Sequence, residues 1–235
     1  MKVLVIPDVH LKPKMFEVAS DLSKENNVDC VVCLMDIADD WDKQMNITLY
    51  EETYDAAIRF AKQHPNSLWC YGNHDISYLL GALESGYSFY AEAMVRSKVG
   101  EMERLLCKDN RLAFIHKIDN VLFMHGGLTD YYVRQHAKSK DYNDVAAIVK
   151  AINDLPMREL WRDDSPIWSR PQMGWMKMYK PRKLLQVVGH TPVKEITKEG
   201  NLISCDTFST YSNGEPVGTE EFLLLDTEAW EWRGV

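Results

Sequence analysis

Residues 67–76, Ser-Leu-Trp-Cys-Tyr-Gly-Asn-His-Asp-Ile, put an amide, an imidazole and a carboxylate in succession at Asn73, His74 and Asp75. Asn73 can offer an oxygen to a metal or a nitrogen to an anion; His74 can ligate or move a proton; Asp75 can hold an imidazole in one tautomer. The preceding apolar run, 68–71, reads as a short buried strand, and Gly72 supplies the backbone freedom of a sharp turn. Four other places repeat the arrangement: Asp8 with His10, whose two-residue offset points both side chains the same way; Asp36 with Asp39, Asp40 and Asp42; His125 followed by Gly126 and Gly127; and Gly189-His190-Thr191. Each follows an aliphatic run. In open α/β sheets ligands bind beyond the carboxyl ends of the strands, so groups at five strand ends are expected to converge. Asp8, His10, Asp36, Asn73, His125 and His190 together offer oxygen and imidazole, a mixture suited to Mn, Fe, Zn or Ni rather than Ca.

The elements that must position these groups follow from apolar periodicity. Runs at 3–6, 28–34, 68–71, 121–124 and 184–188 read as strands covered on both faces. Helical spacing appears at 15–26, at 47–63 with Tyr50, Tyr54, Ala57, Ile58 and Ala61 on one face, in an insertion over 77–107, and at 129–136 and 144–152. Asp119 and Asn120 separate two strands as a hairpin turn. The glycines after His125 would let the backbone pass close to whatever that imidazole binds. From Val193 onward the pattern is β, and strands at 193–197, 202–205, 221–226 and 230–232 are expected to close a second sheet.

The chain has 235 residues and a formal charge of −8. Stable, nonspecific nucleic-acid binding rests on neutralising phosphates with Lys and Arg, so this balance argues against it. No run is long enough to span a bilayer, nor does the N-terminus carry the apolar stretch of a signal peptide, so a cytoplasmic protein without membrane partners is expected. Residues 1–235 are expected to form one domain. The five cysteines give no disulfide framework; Cys30 and Cys33, three apart in a strand, point to opposite faces and read as buried packing rather than a zinc or redox pair.

As an ordered set, Asp8-x-His10, Asp36-x-x-Asp39, Gly72-Asn73-His74-Asp75, His125-Gly126-Gly127 and Gly189-His190-Thr191 resemble the calcineurin-like metallophosphoesterases. Within that family the set is most similar to the phosphoprotein phosphatase branch, which includes bacterial Ser/Thr phosphatases and symmetrical diadenosine tetraphosphatases. The likeness runs through 167–171 and 206–226. It implies a four-layer α/β/β/α sandwich of two mixed sheets and two divalent ions, Mn foremost. Asp8, His10 and Asp36 would hold one ion; Asp36 would bridge to a second, held also by Asn73, His125 and His190. A hydroxide between the ions would attack phosphorus in line. His74 would protonate the leaving oxygen, oriented by Asp39 with Asp75 as a second candidate, and Arg170 would clamp phosphate.

Four positions depart from the pattern. Pro7 and Met35 replace glycines beside the first and second aspartates, and Pro192 replaces a histidine that nuclease-like relatives carry. Asp40 replaces the phosphatase branch's arginine, removing a bidentate clamp and weighing against protein phosphatase activity. The expected substrate is a phosphorylated small molecule, nucleotide or phosphoprotein. A nucleotide or dinucleoside polyphosphate pyrophosphohydrolase is the alternative on the same site, and a non-catalytic module with the same fold is the alternative from another class. A basic stretch, Arg162, Lys177, Lys180, Arg182 and Lys183, is a candidate for steering anions, and Trp175 with Met173, Met176 and Met178 is a candidate wall against a nucleobase.

Overall fold

The computed structural model describes residues 1–174, 176–180 and 182–235. The first aliphatic run forms β1 (Lys2–Ile6), buried from Val3 onward. Helix α1 (Lys14–Glu25) leads to β2 (Cys30–Cys33), parallel to β1 with Val3 opposite Cys30. Helix α2 (Ile47–Gln63), capped by the Asn46 side chain, returns the chain to β3 (Leu68–Cys70). Helices α3 (Asn73–Leu80) and α4 (Glu92–Leu106) precede β4 (Leu112–Ala113), parallel to β3.

There the chain changes sheets. The hairpin of β5 (Ile115–Ile118) and β6 (Val121–Met124) turns at Asp119, whose φ of 50° is the left-handed value that short hairpins need. Helices α5 (Asp130–His136), α6 (Val145–Asn153) and α7 (Met157–Leu160) lead to β7 (Leu185–Val188), parallel to β6. Strands β8 (Thr197–Glu199) and β9 (Leu202–Ser204) complete this sheet, in the order β5-β6-β7-β9-β8.

The last pair, β10 (Leu223–Asp226) and β11 (Trp232–Gly234), departs from expectation. It joins the first sheet, in the order β11-β10-β1-β2-β3-β4, with β10 antiparallel to β1. Its burial explains why: Leu223 and Leu225 enter the layer between the sheets while Leu224 packs outward, a both-faces-covered position beside β1. Residues 193–196 form no strand; the hairpin arm starts at Thr197.

Alternation builds four layers. Val3, Val5, Val32, Val121, Phe123, Val187 and Ile203 fill the space between the sheets. Leu4, Ile6, Val31, Leu122 and Met124 face outward, in the same cluster as Phe16, Tyr54, Val133 and Ile148 of the covering helices. Cys30 lies in the inner layer and Cys33 in the outer one, on opposite faces of β2 as their spacing predicts. The result is an α/β fold of two mixed sheets with helices on both sides.

Candidate metal centre

The five strands whose ends carry polar groups deliver them to one rim. Loops after β1 and β2 are sewn together by backbone hydrogen bonds, Val9 N–H to Met35 O at 3.1 Å and His10 N–H to Asp36 O at 2.8 Å. The rim is built from unusual backbone: His10, Leu11, Met35, Asp36, Asp39 and His190 all have φ between 41° and 66°. L-residues adopt this region at a cost of roughly 1–2 kcal/mol each, so surrounding contacts must hold them there. Met35, with φ 60°, adopts a left-handed conformation that glycine reaches without cost.

Asp8, His10 and Asp36 bring ligand atoms within 4.8 Å of one another, and so do Asp36, His125 and His190. Asp36 belongs to both groups. Asn73 Oδ1 lies 2.9 Å from His125 Nε2, and Asp36 Oδ2 lies 3.0 Å from the same nitrogen. Three imidazoles are oriented alike: His10 Nδ1–H donates to Asp39 O at 2.8 Å, His125 Nδ1–H to Leu34 O at 3.0 Å, and His190 Nε2–H to Trp168 O at 3.1 Å. A carbonyl can only accept, so each ring spends one nitrogen on the backbone and turns the other toward the cluster, as histidine ligands of metals do.

Electrostatics fit a cation. Burial pushes the Asp8 carboxyl well up, reinforced by the charge of Asp206. Asp8 Oδ2 accepts from His190 N–H at 2.8 Å, whereas Oδ1, fully buried, has no hydrogen-bond partner among the described residues. A buried carboxylate oxygen without a donor is costly unless a positive ion meets it. Burial pushes His10 down and His190 well down, leaving both neutral with a lone pair to give. His125 goes the other way: burial disfavours its charge, but Asp36 and Asp8 override that and raise it to about 9. Against its own burial, Asp36 is held well below the carboxylate range, chiefly by His125 and His74. The donor set, the orphan oxygen and the carboxylate density all suit divalent metal.

Two glycines owe their place to space rather than to turn geometry. Gly72 has φ −94°, ordinary extended backbone, so the freedom expected of it is not used. A β-carbon there would overlap the Asp36 carboxylate, and one at Gly189 would overlap Asp8 Oδ1. Gly126 and Gly127 make room for the segment carrying Trp168 and Arg170: their β-carbons would meet Pro166 O, Ser169 O and the Pro171 ring.

Above the cluster a cavity of about 280 Å³ is lined by His10, Asp36, Asn73, His74, Arg170 and His190, among others. Asn73 and His74 are not turn residues but the first residues of α3, and His74 N–H donates to Asp36 Oδ1 at 2.9 Å. His74 Nδ1 meets Asp39 Oδ2 at 2.9 Å. Burial opposes the imidazolium, yet Asp36 and Asp39 raise His74 to about 9. Asp39 Oδ1 accepts from the hydroxyls of Tyr50 (2.9 Å) and Tyr78 (2.6 Å), two residues that helical spacing marks only as core. Asp75 does not touch the imidazole. It accepts from Tyr54 OH at 2.6 Å and Ile37 N–H at 3.2 Å, and burial, then the charge of Asp36, pushes it up to about 7.

Arg170 lies on the cavity wall, its Nη1 donating to His190 O at 2.7 Å and Thr191 Oγ1 at 3.1 Å. The rest of the basic stretch is elsewhere: Arg162 pairs with Asp164, Lys177 approaches Asp130, and Lys180 donates to Asn143 O. None of Arg162, Lys177, Lys180, Arg182 and Lys183 lines the cavity. The same is true of Met173, Met176 and Met178, and Trp175 lies outside the described residues. Among the described residues, the tryptophans that line it are Trp41 and Trp168.

A model of the calcineurin-like phosphoesterase family matches residues 1–218. Among solved structures, the chain is similar to an archaeal phosphodiesterase, 16% identical over 100% of this chain and 99% of that one, with a TM-score of 0.43. It is also similar to a protein serine/threonine phosphatase from Saccharomyces cerevisiae with similarity to human phosphatase PP5 (14%; 87% and 66%; 0.49), and to a metallophosphoesterase from Sphaerobacter thermophilus (18%; 100% and 88%; 0.43). A search of curated proteins matched none at a significant level.

Proposed function

We propose, on the premise that the chain belongs to the calcineurin-like phosphoesterase family and is a metal-dependent phosphoester hydrolase, that residues 1–235 are one catalytic domain hydrolysing phosphomonoesters at a dinuclear centre. One ion would be held by Asp8, His10 and Asp36, the other by Asp36, Asn73, His125 and His190, with Mn the best match to this set. The observation that carries the reading is the pair of ligand groups sharing Asp36 beside the partnerless Asp8 Oδ1. Divalent ions bound there would act as Lewis acids on phosphoryl oxygens and lower the pKa of water.

The chain's own groups supply the rest. His74 uses Nδ1 on Asp39, which leaves Nε2–H to protonate the departing ester oxygen. Its raised pKa keeps that proton available at neutral pH. Asp39 is a positioning residue, fixed by Tyr50 and Tyr78. Arg170, anchored through Nη1, has remaining N–H groups for a phosphate oxygen. Asp40, where the phosphatase branch has arginine, is neutralised by Lys12 at 3.6 Å and bonded to the Thr210 hydroxyl, which favours a small phosphomonoester over a phosphoprotein. Cys30, Cys33, Cys70, Cys107 and Cys205 are free thiols, in keeping with a reducing cytoplasm. No helix among the described residues is long and apolar enough to cross a membrane.

The test is hydrolysis of 4-nitrophenyl phosphate, expected to appear with Mn²⁺ and to vanish with chelator and in His74→Ala. A metal-loaded protein inert toward aryl phosphates, phosphopeptides and dinucleoside polyphosphates would end the reading.

A further inference from the structure

The cavity wall holds a feature that neither metal binding nor proton transfer uses. Trp41 is 42% exposed, yet it is fixed at both ends: its Nε1–H donates to Thr210 O at 2.9 Å and its backbone N–H to Asp40 Oδ1 at 2.8 Å. Asp40 is tied down in turn by Lys12 and the Thr210 hydroxyl. With its one polar atom satisfied, the indole presents bare π surface at the cavity. Because that hydrogen bond already restrains the ring, stacking on it forfeits less rotamer entropy than stacking on an untethered side chain. Trp168, set edge-on against Trp161 and His190 with ring centroids 5.1 Å and 5.3 Å away, adds a second aromatic group to the lining. Asp40 thus has a task where an arginine clamp is missing: it holds an aromatic surface beside the reacting phosphate.

We infer that Trp41 is a stacking wall for a flat leaving group, so the phosphoester taken here carries an aryl or nucleobase ring rather than an alkyl chain or a serine or threonine side chain. The inference rests on the phosphoester reading of the cavity and specifies its substrate class. A cavity of about 280 Å³ is near the lower end for ligand sites, enough for a phosphoryl head and one ring at the rim.

Phenylphosphonate and methylphosphonate test it, since they share a phosphoryl head, differ in the ring and have no ester bond to cleave. Calorimetry on the Mn²⁺-loaded full chain should find phenylphosphonate bound about tenfold more tightly. Trp41→Ala should erase that preference while leaving methylphosphonate affinity unchanged, which also shows that the site is intact, and Trp41→Phe should retain most of it. Equal affinities in the parent protein, or a Trp41→Ala variant that weakens both ligands alike, would overturn the wall. A ring preference without turnover of any ester would overturn the reaction proposed above and leave the wall standing; metal-dependent turnover without the preference would do the reverse.

Discussion

His74 and Asp39 meet at 2.9 Å, and the carboxylate that holds the imidazole is itself held by two phenols, Tyr50 and Tyr78. The imidazole is thus aimed from two helices, α2 and α3, through one buried carboxylate. Asp39→Asn is the informative variant because asparagine tolerates the φ of 66° at this position. It is expected to lower kcat about 100-fold while leaving metal content unchanged, as loss of an acid's orientation does. Tyr78→Phe should lower kcat by a smaller factor with KM unaltered. Steady-state kinetics beside metal analysis checks both, and a parallel loss of metal in Asp39→Asn would reassign Asp39 to metal binding.

Asp36 serves both ligand groups, so Asp36→Asn should impair two ions together. Calorimetric titration with Mn²⁺ should show two sites in the parent and neither at comparable affinity in the variant. Retention of one tight site would reject the shared carboxylate. In the parent, saturation at 100 times the dissociation constant should raise stability by about 2.7 kcal/mol for one site, read as a rise in Tm that chelator reverses.

Gly189→Ala should damage the centre without changing any ligand, because the new methyl would occupy the place of Asp8 Oδ1. Overpacking of this kind costs about 1–3 kcal/mol, and Mn²⁺ affinity should fall with Tm. Gly72→Ala should behave alike through Asp36. A variant of either kind with parent-like metal affinity would show that the loops yield more readily than their hydrogen bonds suggest.

His116, in β5, is buried with Nε2–H donating to Trp69 O at 3.0 Å, and burial holds its pKa below the usual 6.5. The unfolded chain therefore binds the proton more readily. The contribution to stability is complete above about pH 6.5 and is lost as pH falls toward the folded value, by up to about 1.4 kcal/mol per pH unit. His116→Gln should flatten this part of the acid limb relative to the parent, measured as urea midpoints between pH 7.5 and 5.5 in identical buffers. Parallel limbs would show that His116 titrates alike folded and unfolded.

Much of the centre was legible in the sequence because each strand is a compact aliphatic run with its polar group one or two residues past the end. Asp8, His10, Asp36, Asn73, His125, His190, His74, Asp39 and Arg170 all reach the same rim. What stayed hidden had no local signature. Tyr50 and Tyr78 sit at helical spacings indistinguishable from core, and only the fold shows their hydroxyls on Asp39. Asp75, the second candidate after Asp39, follows His74 directly in α3, but successive helical residues face different ways, and it accepts from Tyr54 instead. Gly72 read as a flexible joint when it is a place where the Asp36 carboxylate stands. The final hairpin's sheet could not be read because β10 is apolar on both faces, which suits either sheet.

That hairpin has a consequence for biosynthesis. β1 is made first, yet its antiparallel neighbour β10 arrives only at residues 223–226, and Asp8 waits for the backbone of His190. A ribosome must therefore deliver the chain through residue 226 before β1 has both flanks paired, and until then an aliphatic edge lies open to chaperones or to another nascent chain.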